Sequence, residues 1–180
     1  MPRSRTGLLV ALLWILGVTP FTDARAQYVS FEPHVTVPVC ITFQVEVRIE
    51  AQGVPVQGIE TVFGYDPAIV RLDAVEAGGW LAGSGLEHFL WTDPTSPAGT
   101  AEVHAALLGG GSSADGVLLT LSFSALDSGV SPLDFTALDL RDVANAPLVA
   151  ATHSIDDRII IEEAVADEGF TFSGVKSLWR

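Results

Sequence analysis

The sequence predicts an all-β sandwich. Three features carry that expectation. Apolar and polar residues alternate with a period of two, turn residues recur about every 8 to 12 positions, and 3.6-residue periodicity is nearly absent. Phe43, Val45, Val47 and Ile49 alternate with Gln44, Glu46, Arg48 and Glu50, as in a strand with one buried and one wet face. Ala51-Gln52-Gly53 and Pro55 break this run. In the next, Ile59, Thr61, Phe63 and Tyr65 point one way and Glu60, Val62 and Gly64 the other. Asp66-Pro67 closes it as a turn, because proline presets its own φ and Asp accepts hydrogen bonds from the backbone that follows. A single helical turn fits residues 66–72, and nothing longer looks helical.

Shorter strands follow. Residues 70–75 precede Gly78-Gly79, residues 86–91 end at Asp93-Pro94, and residues 101–108 lead into Gly109-Gly110-Gly111. Val117, Leu119, Leu121, Phe123 and Ala125 alternate before Asp127-Ser128-Gly129, and residues 133–140 and 158–161 complete the set. The segment Gly109-Gly110-Gly111-Ser112-Ser113-Ala114 fits a loose dinucleotide-loop pattern. It leads into a strand, so no helix N-terminus is there to hold a phosphate.

The N-terminus reads as a cleaved leader. Arg3 and Arg5 precede the apolar run LLVALLWILGV, and Ala24-Arg25-Ala26 offers small residues for cleavage before Gln27. The apolar run is too short for the ~20 residues a bilayer core needs. The expected organisation is therefore a signal peptide over residues 1–26 and a β-sandwich over 27–162. Residues 163–180 form an acidic linker and an aromatic and basic tail, FTFSGVKSLWR. Three of the nine basic and one of the 22 acidic residues lie in the leader, so the remainder carries a net charge of −15. A surface so acidic disfavours nucleic acid and anionic membranes as partners, and no membrane span is expected after cleavage. Cys40 is alone, which excludes an intramolecular disulfide, and its apolar neighbours Val39 and Ile41 suggest a small buried thiol.

Catalytic constellations are missing. His34, His88, His104 and His153 lack metal-ligand spacing, and no nucleophile elbow occurs. Asp139, Asp142, Asn145, Asp156 and Asp157 offer hard oxygen ligands for calcium, but the EF-hand order is absent and turn formation is the commoner use of such residues. No enzyme, cofactor or metal site is expected.

The ordered series of segments resembles a cohesin domain. The strand from Phe43 to Ile49 is similar to that family's opening strand, and Gly58-Ile59 followed by Tyr65-Asp66-Pro67 resembles its next strand and turn. Val75-Glu76-Ala77-Gly78-Gly79-Trp80-Leu81 continues the series. So do Ala105-Ala106-Leu107-Leu108-Gly109 and the stretch from Gly116 to Ala125, then Gly129-Val130-Ser131-Pro132-Leu133 and Leu138-Asp139-Leu140. The likeness covers roughly residues 30–162. It implies a nine-stranded jelly-roll sandwich that binds a dockerin, a module that folds with calcium, through one exposed sheet face. Carried onto this sequence, the partner-binding positions are Gly58, Glu60, Val62 and Gly64, with Leu107 and Leu108 from the strand before the glycine tract. The alternative is a carbohydrate-binding or adhesive surface module taking a polysaccharide, which requires Trp80, Phe89 and Trp91 on one exposed face.

Overall fold

The computed structural model describes residues 26–93, 96–148 and 152–163. The expected leader lies outside these residues except for Ala26, and the expected tail except for Glu163. Among the described residues no helix is long and apolar enough to cross a membrane.

Two sheets face each other across one apolar core. The strands are β1 (Gln27–Glu32), β2 (Val35–Pro38), β3 (Thr42–Glu50), β4 (Gly58–Gly64), β5 (Val70–Ala77), β6 (Glu87–Thr92), β7 (Thr100–Leu108), β8 (Gly116–Ala125), β9 (Gly129–Arg141), β10 (Thr152–Ile155) and β11 (Asp157–Glu162). One sheet has the order β10-β1-β3-β8-β5 and the other β2-β11-β9-β4-β7-β6. Alternation decides which side chains meet between them. Val45, Val47 and Ile49 of β3 lie inside with Leu119, Leu121 and Phe123 of β8. They face Ile59, Thr61 and Phe63 of β4 and Ala101, Val103, Ala105 and Leu107 of β7. Phe31 links the layers, stacked on Phe135 at 4.2 Å and edge-on to Phe63 at 5.7 Å.

Among the described residues, eleven hydrogen-bonded segments stand where the resemblance implies nine strands, and two passes of the chain change sheets midway. The first pass breaks at Pro33-His34 into β1 and β2, and the last breaks at Asp156 into β10 and β11. The two passes run parallel in both sheets, β1 beside β10 and β2 beside β11. His34 Nδ1 lies 2.5 Å from Asp157 Oδ1, tying one corner to the other.

Two further departures from the sequence expectation have local causes. A four-residue helical turn, α1 (Gly79–Ala82), stands where the glycine pair predicts only a turn. It lays Trp80 and Leu81 over the sandwich end, and a Cβ on Gly78 would sit 2.3 Å from the Val117 carbonyl oxygen. Cys40 is exposed, not buried: it takes φ 65° in the turn between β2 and β3, which points its thiol outward despite the apolar neighbours.

Candidate functional site

Strand β4 is central in the six-stranded sheet, paired with β7 on one side and β9 on the other. Its inward residues are spoken for by the core, so Gly58, Glu60, Val62 and Gly64 line the outer face. The registers then set whole rows across four strands. Arg141, Gly58, Ala106 and Phe89 form one row, and Asp139, Glu60, His104 and Trp91 the next. Ala137, Val62 and Glu102 follow, then Asp134, Gly64 and Thr100. This order depends on one irregularity. Thr136 is an extra residue in β9 between the partners of Val62 and Phe63, and its hydroxyl donates to the Val62 carbonyl. The bulge shifts the parity of β9, so Leu133 and Phe135 face in before it and Leu138 and Leu140 after it.

Of the six positions the sequence assigns to partner binding, five lie on this outer surface. Leu107 does not: it is 0% exposed and belongs to the core, while Leu108 is 48% exposed. Consecutive strand residues point to opposite faces, so both cannot contribute to one surface. The sequence reading named Phe89, 48% exposed, and Trp91, 43% exposed, only for the carbohydrate alternative and not among the partner-binding positions, yet they flank the small residues Gly58 and Ala106. A shallow hollow lies here between Phe89, His104, Arg141 and Asn145, floored by Gly58 and Ala106. The residue signal existed in β6, where Phe89 and Trp91 stand two apart. Only the pairing of β6 with β7 places them on the same outer face as the β4 residues, one strand away.

The three-ring platform of the carbohydrate alternative does not form. Trp80 is 5% exposed, and its indole N–H donates to the Ala114 carbonyl at 2.8 Å. Three of the calcium candidates, Asp142, Asp156 and Asp157, are engaged by backbone N–H groups. Asp142 Oδ1 accepts from the backbone N–H groups of Ala144 and Ala146, and Asp156 Oδ1 accepts from that of Phe135. Asp157 Oδ1 accepts from the backbone N–H of Arg158 as well as facing His34.

Charge on the outer face is concentrated near its centre. His104 Nε2 is 2.9 Å from Glu102 Oε1, its Nδ1 is 3.9 Å from Glu60 Oε2, and its ring centroid is 5.1 Å from that of Trp91. Asp139 Oδ2 accepts from Arg141 at 2.6 Å. On the opposite sheet, Asp73 accepts hydrogen bonds from Ser124 and Arg71, which hold its carboxyl below the ordinary aspartate value. A carboxylate so stabilised is a poor base, and among the described residues Ser124 contacts Asp73 and Arg71 and no imidazole.

The sequence matches no protein-family model, and no curated protein is similar to it in sequence. Solved structures are similar in fold. A non-cellulosomal cohesin from the hyperthermophilic archaeon Archaeoglobus fulgidus superposes with a TM-score of 0.64, covering 77% of this chain and 92% of its own at 16% identity. The fold is cohesin-like. A cohesin from Clostridium thermocellum, solved in a type I cohesin–dockerin complex, has a TM-score of 0.64 over 78% of this chain and 96% of its own, at 14% identity. A cohesin module from a Clostridium perfringens family 33 glycoside hydrolase gives 0.63 over 78% and 99%, at 15% identity.

Proposed function

We propose that this chain is an exported, non-catalytic protein-binding module that engages a dockerin-type partner through the outer face of β9-β4-β7-β6. The observation that carries this is the composition of that face. Exposed Phe89, Trp91 and Leu108 surround small and half-buried residues on a sheet whose backbone is already paired. Aromatic anchors beside shallow hollows are what a protein interface uses for its central contacts. Solved cohesins of the same fold include modules captured with dockerins, which supports the choice of partner. The lack of a nucleophile–base pair among the described residues supports a binding role over a catalytic one.

Calorimetry of the chain against a panel of calcium-loaded dockerin modules tests the proposal. Phe89→Ala and Trp91→Ala each weaken binding by about ten-fold or more if these rings are anchors. Gly58→Arg fills the hollow and abolishes binding, while Glu46→Gln on the other sheet leaves it unchanged. Binding that survives Gly58→Arg places the interface elsewhere, and no binding to any dockerin rejects the partner class.

A further inference from the structure

The centre of the outer face holds more negative charge than its own cations balance. Glu60 has Asp139 directly opposite on β9 and His104 directly opposite on β7, and Glu102 is two residues from His104 on the same face of β7. Like charges placed opposite each other across a sheet are unfavourable. Arg141 is the cation in contact with Asp139, and it occupies only Oδ2. The other oxygen, Oδ1, is buried without a hydrogen-bond partner. The side chain as a whole is 28% exposed, so this oxygen adds to the negative charge of the face without being sealed in the core.

Glu60, Glu102 and His104 each present one ligand atom, and these atoms lie within 4.8 Å of one another. That separation suits convergence on one ion by small side-chain rotations, since zinc takes carboxylate oxygen and imidazole nitrogen at about 2.0–2.2 Å. The Trp91 ring packs against His104 and restricts the imidazole, and all three ligands rise from two directly paired strands. Two carboxylates and one imidazole favour zinc over calcium or magnesium, which prefer all-oxygen shells.

We propose that Glu60, Glu102 and His104 form a zinc site on the outer sheet face, with water completing the shell and the ion's charge relieving the repulsion among Glu60, Glu102 and Asp139. The site uses the face assigned above to docking but needs no partner, so it is measured in the absence of one.

The test is calorimetric titration of the full chain after any leader cleavage with zinc alone, and separately with calcium alone. The expected result is one zinc equivalent per chain and at least ten-fold weaker calcium binding. His104→Gln and Glu102→Gln each lower zinc affinity by more than about ten-fold, and His34→Gln leaves it unchanged. Thermal melting of each variant without metal checks folding. If one of the two fails to fold, the other decides. Zinc binding that survives both ligand variants, or calcium binding equal to that of zinc, overturns the proposal. Zinc binding by a chain that captures no dockerin supports the metal site while rejecting the docking partner, and the reverse result rejects the metal site alone.

Discussion

Gly99 illustrates how one residue controls a turn far from it in sequence. Its φ is +84°, and its carbonyl accepts from the Tyr65 N–H at 2.8 Å. A Cβ there would lie 2.7 Å from the Tyr65 carbonyl oxygen and 2.8 Å from Pro67 Cδ. The Tyr65-Asp66-Pro67 turn is pinned from a second side by Ser131, whose hydroxyl accepts from the Asp66 N–H at 2.8 Å. Gly99→Ala is therefore expected to cost about 1–3 kcal/mol, combining the left-handed backbone penalty with a clash against backbone. Gly58→Ala is the matched control, because its Cβ would meet the nearest atom at 3.7 Å with no positive φ. Chemical denaturation of both variants checks the difference. The Asp-Pro signal was legible in the sequence. The need for glycine at position 99 was not, because the atoms it would strike arrive from 32 to 34 residues upstream.

The long strand β9 joins two neighbours in succession. Its first half pairs with β11 from Gly129 to Leu133, and its second half with β4 from Asp134 to Arg141. Pro132 lies in the first half, before the β4 ladder begins, so its missing N–H removes no bond on that side. β11 in turn supplies Ile159 and Ile161 to the core after the chain has crossed from the other sheet. Ile159 is fully buried, and Ile159→Ala is expected to destabilise the fold by about 2–5 kcal/mol, against about 0.5–1.5 kcal/mol for Ile159→Val. Equilibrium unfolding in urea measures both. Equal losses for the two would show that this crossing strand is not packed as described. The β-branched run Ile159-Ile160-Ile161 was enough to predict the strand, whereas its parallel partner β2 went unrecognised. Four residues beside a proline carry too short a pattern to distinguish strand from loop.

At the scale of the whole molecule, the described sandwich begins with β1 at Gln27 and closes with β11 at Glu162. Cleavage after Ala26 would leave the first strand whole, including its register against β10 from Gln27 onward. N-terminal sequencing of the chain recovered from an exporting bacterial host is expected to read Gln27 first. A start at Met1 with the chain retained in the cytoplasm would reject export. Acidity also acts at this scale, with Glu46 and Glu76 on the outer face of one sheet and Glu60 and Glu102 on that of the other. On the latter face it converges on a histidine.

Sequence alone determined most of the layers: period-two alternation in β3, β4 and β8 specified which residues enter the core, because a strand buried on one face must repeat every second residue. Alternation failed at the start of β8, where a register shift opposite Val47 and Arg48 leaves Leu118 buried and Val117 outside the core. The sequence also placed Gly58, Glu60, Val62 and Gly64 on one outer face. Only the tertiary structure decided what stands beside them. Glu60 meets His104 from 44 positions away and Asp139 from 79, through strand pairings that no local spacing records. The bulge at Thr136 and the burial of Trp80 were decided the same way. The face proposed for docking and the zinc ligands proposed on it are products of register, set by how each strand's buried side chains fit the core beneath.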